Sequence, residues 1–374
     1  MGRDDKPAPR IPARSEPMNH KSSIHHSKAC QKTWPVIALF LAWSSKLALP
    51  QGCIPAHYIS LNLDAQGISY LNPGQWEADV SYRYLHSERV FSGSDEQPQL
   101  HGVGGRNTIH SFDVTGTYEI SSLFSASLTI PFLHDEFSLP NDDGQRHSGS
   151  SGGLGDARLI GNAWLFKPAD HPHGNVNLGL GVKFPTGDDR ATSDYYTTAG
   201  QPVLRPVDIA AQPGDGGWGI FLELQGFQQI VENLYAYVSG FYLINPRDTN
   251  GTEKPSPLSK AVNSVPDQYL GRAGLSYAIW PKAGLSLTLG GRVDGVPTED
   301  AIGGSDGFRR AGYAVYVDPG VDWVFGKNIL GINVPVAVER NLQPTPYLDH
   351  GVTKLSSAGA FADFIVVASF SHKF

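Results

Sequence analysis

The C-terminal segment, residues 358–374, alternates apolar and polar side chains with a period of two residues. One face carries Phe364, Val366, Ala368, Phe370, His372 and Phe374. The other face carries Asp363, Ile365, Val367, Ser369, Ser371 and Lys373. A two-residue period predicts a β-strand. Taken alone, this strand could also be the edge strand of a soluble sandwich.

The same alternation recurs along the chain and predicts twelve strands in all. Each has one largely apolar face and one polar face, which is the pattern of a sheet with one side in an apolar environment and the other in contact with water. The predicted strands are Gln75–His86, Thr108–Ser121, Leu123–His134, Asp156–Phe166, Asn175–Phe184, Trp218–Gln229, Leu234–Ile244, Gln268–Trp280, Gly284–Val293, Gly312–Phe325, Asn328–Arg340 and Ala358–Phe374.

The predicted connections alternate between short and mostly long. They are short after the even-numbered strands, whereas the others are rich in Gly, Pro, Asp and Ser. This rhythm is typical of a membrane barrel with short periplasmic turns and long extracellular loops. Almost none of the apolar faces carries a charge, which would cost about 2–4 kcal/mol at mid-bilayer. We therefore predict an all-β, antiparallel transmembrane barrel of about 12 strands in the outer membrane of a Gram-negative cell. A two-sheet soluble protein is the alternative.

Residues 1–52 are expected to be a targeting segment. Lys21, Lys28 and Lys32 precede an apolar core at 34–43 that is too short to span a bilayer, which is typical of a signal peptide. Translation could begin at Met18, and Cys53 only weakly fits a lipoprotein box. Residues 53–73 would form a periplasmic arm or a plug, and 74–374 the barrel.

Composition excludes several classes of protein. Charged residues are 17% of the chain, below the usual quarter. Removing residues 1–52 removes 8 of 29 basic and 3 of 36 acidic residues and leaves a net charge of −12, which disfavours nucleic-acid binding. Past the N-terminal segment there is no run of eighteen apolar residues, so helical spans are not expected.

The candidate functional residues are the charged side chains of the polar faces, which would point into the lumen. They could line a conducting pore or form a paired network that only holds the barrel rigid. Acids cluster on the first two strands, whereas two arginines lie on the eighth and ninth, so a transverse field is also conceivable. The candidates are Glu77, Asp79, Arg83, Asp113, Glu119, Asp156, Arg158, Lys183, Glu223, Arg272, Arg292, Asp318 and Asp322.

Aromatic residues fall into two groups. Tyr235, Tyr237 and Phe241 lie on the inward face of the seventh strand, where they could guide aromatic solutes or simply fill space. The outward aromatics are expected to form interface girdles: Trp76, Tyr84, Phe184, Trp218, Tyr313 and Trp323.

Two local motifs stand out, Gly-Leu-Gly-Asp-Ala-Arg at 153–158 and Lys-Phe-Pro-Thr-Gly-Asp at 183–188. In this order and spacing they resemble the bacterial outer-membrane family labelled as a putative phenol-degradation meta-pathway transporter. The resemblance covers roughly 127–188 and implies passage of small hydrophobic or aromatic compounds. Its pattern residues here are Gly153, Gly155, Asp156, Pro185, Thr186 and Gly187. From their chemistry alone, they would shape the barrel rim or contact solute.

Enzymatic and metal sites are not expected. His110 and Ser111 are adjacent, so on a strand they face opposite sides and cannot form a dyad. We predict no cofactor and no metal. The expected function is a channel or transporter for small molecules, with a structural or surface-interaction barrel with a plugged lumen as the alternative. Expected partners are outer-membrane lipid, lipopolysaccharide, a small-molecule solute and the barrel-assembly machinery, the last through the closing strand that ends at Phe374, a strand type typical of such barrels.

Overall fold

A computed structural model describes residues 70–101, 104–253, 261–345 and 358–374. The predicted targeting segment, Cys53 and most of the predicted arm lie outside the described residues. None of the described residues belongs to a helix that is long and apolar enough to cross a membrane.

Twelve antiparallel strands form the barrel, as the sequence predicted. Two of them, β4 and β11, are each interrupted and have two segments. The strands are β1 Trp76–Ser92, β2 Arg106–Glu119, β3 Phe124–Pro140, β4 Arg146–Leu154 and Arg158–Trp164, β5 Gly174–Lys183, β6 Gly219–Val231, β7 Leu234–Ile244, β8 Gln268–Trp280, β9 Leu285–Val296, β10 Gly312–Phe325, β11 Asn328–Asn333 and Val336–Leu342, and β12 Ala358–Lys373.

The first and last strands close the ring. β1 pairs with β12 from Glu77↔Lys373 to Ser92↔Ala358, and on its other side with β2. Each of the remaining strands pairs with its two neighbours in sequence. In the closed ring no strand is an edge, so the backbone N–H and C=O groups have partners on both sides. The first segment of β4, Arg146–Leu154, lies beyond the ring and pairs with β3 alone.

The outward face of the barrel is apolar. Leu128, Leu180 and Leu224 are 47%, 64% and 40% exposed and alternate along their strands with buried or half-buried inward residues. Five of the six predicted girdle aromatics lie at or next to strand ends, among them Trp76 at the start of β1 and Trp323 near the end of β10, whereas Tyr84 lies in the middle of β1. An apolar band between aromatic girdles is the surface that outer-membrane barrels present to lipid, which matches the predicted location.

Four of the connections at one end are short, at 120–123, 232–233, 281–284 and 326–327, and the fifth is 165–173. We call this end periplasmic, as in outer-membrane barrels. The 281–284 turn includes a 3₁₀ helix, Pro281–Ala283. The opposite, extracellular end carries a 3₁₀ helix, Pro98–Leu100, and the short strand Asp95–Glu96. It also carries two loop hairpins, Thr192–Tyr196 with Pro202–Pro206 and Thr249–Glu253 with Val262–Ser264.

The structure corrects the prediction around the third and fourth strands. The glycine- and serine-rich stretch 149–155 falls in the predicted connection between Leu123–His134 and Asp156–Phe166, where its composition indicates a turn. Most of it instead lies in the first segment of β4, which pairs with β3 from Phe132↔Leu154 to Pro140↔Arg146. The connection between β3 and β4 is therefore only 141–145. Local composition indicated a turn, but pairing with the extended β3 supplies the backbone hydrogen bonds of a strand.

An arginine on the lipid-facing side should destabilise the barrel. Leu128→Arg is expected to lower the free energy of unfolding by about 2–4 kcal/mol, because it places a charge in the hydrocarbon layer. Urea titration in lipid vesicles would measure it. Leu204→Arg is the control, because Leu204 lies in a loop hairpin and is 73% exposed. Equal stability of the two variants would contradict a lipid-facing position for Leu128.

Candidate functional site

The thirteen charged candidates lie on the side of the barrel wall opposite the apolar outward residues. Ten of them are buried, and Glu77, Asp79 and Glu223 are half-buried. Asp156 lies in the interruption of β4, not within a strand. The wall therefore directs these side chains toward the lumen, where their neighbours decide what they can do.

Three arginines and their acids occupy the middle of the lumen. Arg158 donates to Asp113 at 3.1 Å, Arg272 to Asp318 at 2.7 Å and Arg292 to Asp294 at 3.3 Å. All of these side chains are buried. Removing charges from water is costly, and pairing at hydrogen-bond distance offsets that cost.

The network also crosses the lumen. Arg83 of β1 donates to Ser111 of β2 at 3.0 Å and lies within electrostatic range of Arg292 and Asp294 on β9. Charges from walls that are far apart in strand order therefore meet and compensate one another. Sequence reasoning missed Asp294, because it ended the ninth strand at Val293, three residues before the strand ends at Val296.

Apolar side chains fill the extracellular half of the lumen. One cluster joins Leu85, Ile109 and Leu133 of β1–β3 to Tyr316 of β10 and Ile365 of β12. Since β3 and β10 lie nearly opposite each other in a ring of twelve strands, this cluster spans the lumen. A second cluster comprises Ile160, Phe221, Phe241, Leu243 and Leu270.

Aromatic rings gather at the periplasmic mouth. Tyr235 and Tyr237, both predicted to point inward, are 6% and 5% exposed and pack with Phe227. Tyr70, which precedes β1, packs edge-on against Trp164 with ring centroids 5.0 Å apart. Its hydroxyl accepts a hydrogen bond from Asn175 at 3.3 Å. The described end of the predicted arm thus crosses the mouth toward β4–β6.

The two sequence motifs meet where β4 is interrupted. The Thr186 hydroxyl donates to the Gly155 carbonyl and accepts from the Ala157 amide, both at 2.8 Å. The Asp156 carboxylate accepts from the Gly187 amide at 2.9 Å and from the Asp215 amide at 3.1 Å. The side chains of Thr186 and Asp156 therefore bind backbone groups of the facing segment and hold the loop after β5 against β4.

Glycine is required at this junction. A Cβ on Gly187 would lie 2.7 Å from the Gly214 Cα, and a Cβ on Gly214 would lie 2.6 Å from the Gly187 carbonyl carbon. Real Cβ atoms do not approach backbone so closely, so the loop touches itself only because both residues lack side chains. A Cβ on Gly153 would meet nothing within 4 Å, but Gly153 has φ +152.

The loop of residues 184–218 is anchored at the extracellular mouth. Lys183 forms ion pairs with Asp215 and, at 3.6 Å, with Asp156. Farther along, Arg310 holds Asp208 through two hydrogen bonds of 2.5 and 2.9 Å. Ser151 donates to the Ala211 carbonyl at 2.5 Å. Buried Val207, Ala211 and Gln212 show that this loop packs inward, so it narrows the entrance.

Several solved structures are similar in fold to this chain. An outer membrane channel from Pseudomonas putida F1 matches with a TM-score of 0.56 and 13% identity, over 85% of this chain and 100% of that chain. The β domain of the Bordetella autotransporter BrkA matches at 0.45 and 12% identity, over 80% and 100%. The P. putida toluene transporter TodX matches at 0.39 and 11%, over 87% and 99%.

No protein-family model matches the sequence, and no curated protein matches it either. The likeness to the P. putida channel, at 13% identity, shows that this chain has the fold of an outer-membrane channel. The solute must therefore be argued from the residues of the lumen and the loops.

Loss of the Asp156 carboxylate should release the loop after β5. Asp156→Ala removes two hydrogen bonds to loop amides and one partner of buried Lys183, so a loss of about 1–3 kcal/mol is expected. Faster hydrogen exchange at the Gly187 and Asp215 amides would report it. Asp194→Ala, an exposed change in the same loop, is the control, and unchanged exchange in Asp156→Ala would contradict the anchoring role.

The Arg272–Asp318 pair should behave as a buried ion pair. Asp318→Ala is expected to cost about 3–5 kcal/mol, whereas Arg272→Met combined with Asp318→Leu should recover most of the loss because neither charge remains. Urea titration of the refolded variants measures both. A double variant no more stable than Asp318→Ala would mean that the pair does not act as a unit.

Proposed function

We propose that the protein is a passive outer-membrane channel for small, hydrophobic molecules. The observation that carries the proposal is that side chains, not backbone, fill the middle of a closed barrel. A lumen narrowed by rotatable side chains can pass a small solute without breaking the wall. The likeness of the fold to an outer membrane channel supports the same function.

The order of the lumen layers favours an apolar solute. The extracellular half presents the apolar clusters, in which a bare ion loses its hydration without compensation. The central arginines already have carboxylate partners, so they offer little net charge to attract an ion. A small uncharged molecule with an apolar surface faces neither penalty, and the inward aromatics Tyr235 and Tyr237 would then contact it near the exit.

The aromatic girdles and apolar band would contact outer-membrane lipid and lipopolysaccharide, and the closing strand, which reaches Lys373 beside the final residue Phe374, would be the element that the barrel-assembly machinery recognises. We infer no enzymatic activity, since His110 and Ser111 lie on opposite faces of β2, His110 half-buried beside Tyr82 and Ser111 buried with Arg83.

The second candidate function is a structural barrel with a plugged lumen. The observation in its favour is the apolar cluster that spans the lumen between β3 and β10. Deleting 54–73 tests one form of it, because conductance that appears only in the deletion would locate the plug in that segment. Conductance in the intact protein would favour the channel.

Removing the aromatic ring of Tyr316 should widen the lumen. Tyr316 is 1% exposed and lies in the spanning cluster, with the Arg292 guanidinium 5.7 Å from its ring centre. Tyr316→Ala is therefore expected to raise single-channel conductance and the rate of liposome swelling with small neutral solutes. Tyr313→Ala is the matched control, because Tyr313 lies three residues away on the outward face of β10.

The outcomes separate the two functions. Swelling with wild-type protein and faster swelling with Tyr316→Ala support a channel whose width the cluster sets. A folded wild-type barrel and a folded Tyr316→Ala variant that both pass neither ions nor neutral solutes would overturn the channel proposal.

A further inference from the structure

An open groove of about 640 Å³ crosses β6 to β10 on the outer side of the barrel wall. Its sides include Leu222 and Leu224 of β6 and Val238 of β7, which are exposed and point away from the lumen. The residues between such outward positions, for example buried Ser239, point inward, so only their backbone can line the groove. The groove therefore faces the hydrocarbon layer of the membrane and not the lumen.

Small residues on three adjacent strands form the floor of this groove. In one row across the sheet, Gly240 pairs with Gly271, and Gly271 pairs with Val293. In the next row toward the periplasm, Ala273 pairs with Gly291. The three glycines and the alanine leave the backbone nearly bare, whereas Val293 rises beside them as part of the far side of the groove.

The groove lies in the extracellular half of the membrane-spanning wall. Gly271 lies close to Gln268, the extracellular end of β8, and much farther from Trp280 at its periplasmic end. Beside the groove on the extracellular side, the rings of Tyr242 and Tyr269 stack with centroids 6.5 Å apart and planes 8° apart. Tyrosine rings are typical of the level where lipid headgroups begin. The groove therefore opens beneath the headgroups of the outer leaflet.

The position of the groove restricts what can fill it. Apolar cavities do not hold water, and an empty groove would forfeit dispersion contacts along its sides. An apolar cavity of about 150 Å³ holds a benzene ring, so this groove has room for a long hydrocarbon chain. A second copy of the barrel fits poorly, because a twofold dimer through this face would place two grooves opposite each other.

We propose that the groove is a binding site for one acyl chain of lipopolysaccharide, the lipid of the outer leaflet. The inference rests on the proposed contact with lipopolysaccharide and narrows it to one site on β6 to β10. The chain would lie over Gly271 and Gly291 between the apolar sides, and its headgroup end would lie near Tyr242 and Tyr269. Neighbouring lipids that contact the convex wall elsewhere would exchange freely, whereas this chain would be retained.

The bound lipid can be identified directly. The mature protein is extracted with mild detergent from the outer membrane of a host that makes deep-rough lipopolysaccharide, and native mass spectrometry measures which lipids remain bound. We expect one lipopolysaccharide molecule on the wild-type barrel. The fraction of barrels that retain it should fall at least about tenfold when the groove is filled by side chains.

Two variants fill the groove, Gly271→Leu and Gly291→Leu. A Cβ on Gly271 would lie 3.7 Å from the Val293 Cγ1 atom, and one on Gly291 would lie 4.0 Å from the Tyr316 carbonyl oxygen. Both positions therefore accept a side chain without displacing the wall. Gly116→Leu is the matched control, because Gly116 lies on the outward face of β2, away from the groove, and its Cβ would meet nothing within 4 Å.

Equal retention of lipopolysaccharide by the filled variants and by Gly116→Leu would overturn the site and leave only general contact with this lipid. A wild-type barrel that retains phospholipid instead, or no lipid, would also overturn it. So would a dimer that Gly271→Leu and Gly291→Leu disrupt and Gly116→Leu preserves.

Two further measurements accompany the variants. Faster migration of unheated protein on gels shows that each barrel is folded. Liposome swelling should be the same in all three variants, because none of them changes a side chain in the lumen. Failure of the channel proposal would therefore appear in the swelling rates, and failure of the lipid site would appear only in the mass spectra.

Discussion

Closure of the barrel through β1 and β12 is the constraint on which the structure depends. In lipid no water is available to the backbone, so every N–H and C=O group in the spanning region must find a partner within the protein. The pairing from Glu77↔Lys373 to Ser92↔Ala358, with register shifts between Leu85 and Arg89, supplies the last set of bonds. With the ring closed, alternation turns one face of each strand to lipid and the other face, which carries the charged side chains, inward.

The charged side chains that point inward are costly to bury, and ion pairs in the lumen offset this cost. Arg158 with Asp113, and Arg272 with Asp318, bring each buried guanidinium to within 3.1 Å of a carboxylate. Above this layer the space is closed by apolar contacts, including Tyr316 and Leu133, that reach between nearly opposite strands. The result is a narrow lumen without large uncompensated charge, which suits a small neutral solute better than an ion.

The loop after β5 connects the wall to the entrance. Its anchors, Asp156 at the interruption of β4 and Arg310 beside Asp208, lie 154 residues apart in sequence. Because the loop is held at both places, its hairpin can lie against the connection between β3 and β4, where the Tyr195 hydroxyl donates to Asp142 at 2.8 Å. The interruption of β4 thus places the residues that bind this loop, and the bound loop in turn narrows the extracellular entrance.

The sequence by itself determined the strand number, the direction of most side chains and the barrel class, because a two-residue period is local and survives without knowledge of any partner. It could not determine that 149–155 is a strand, since glycine and serine there form a strand only by pairing with the extension of β3. Nor could it find Asp294 beside Arg292, or bring Asp208 to Arg310. Those contacts form only when the ring closes and the loops fold back over the barrel, and both events belong to the tertiary structure.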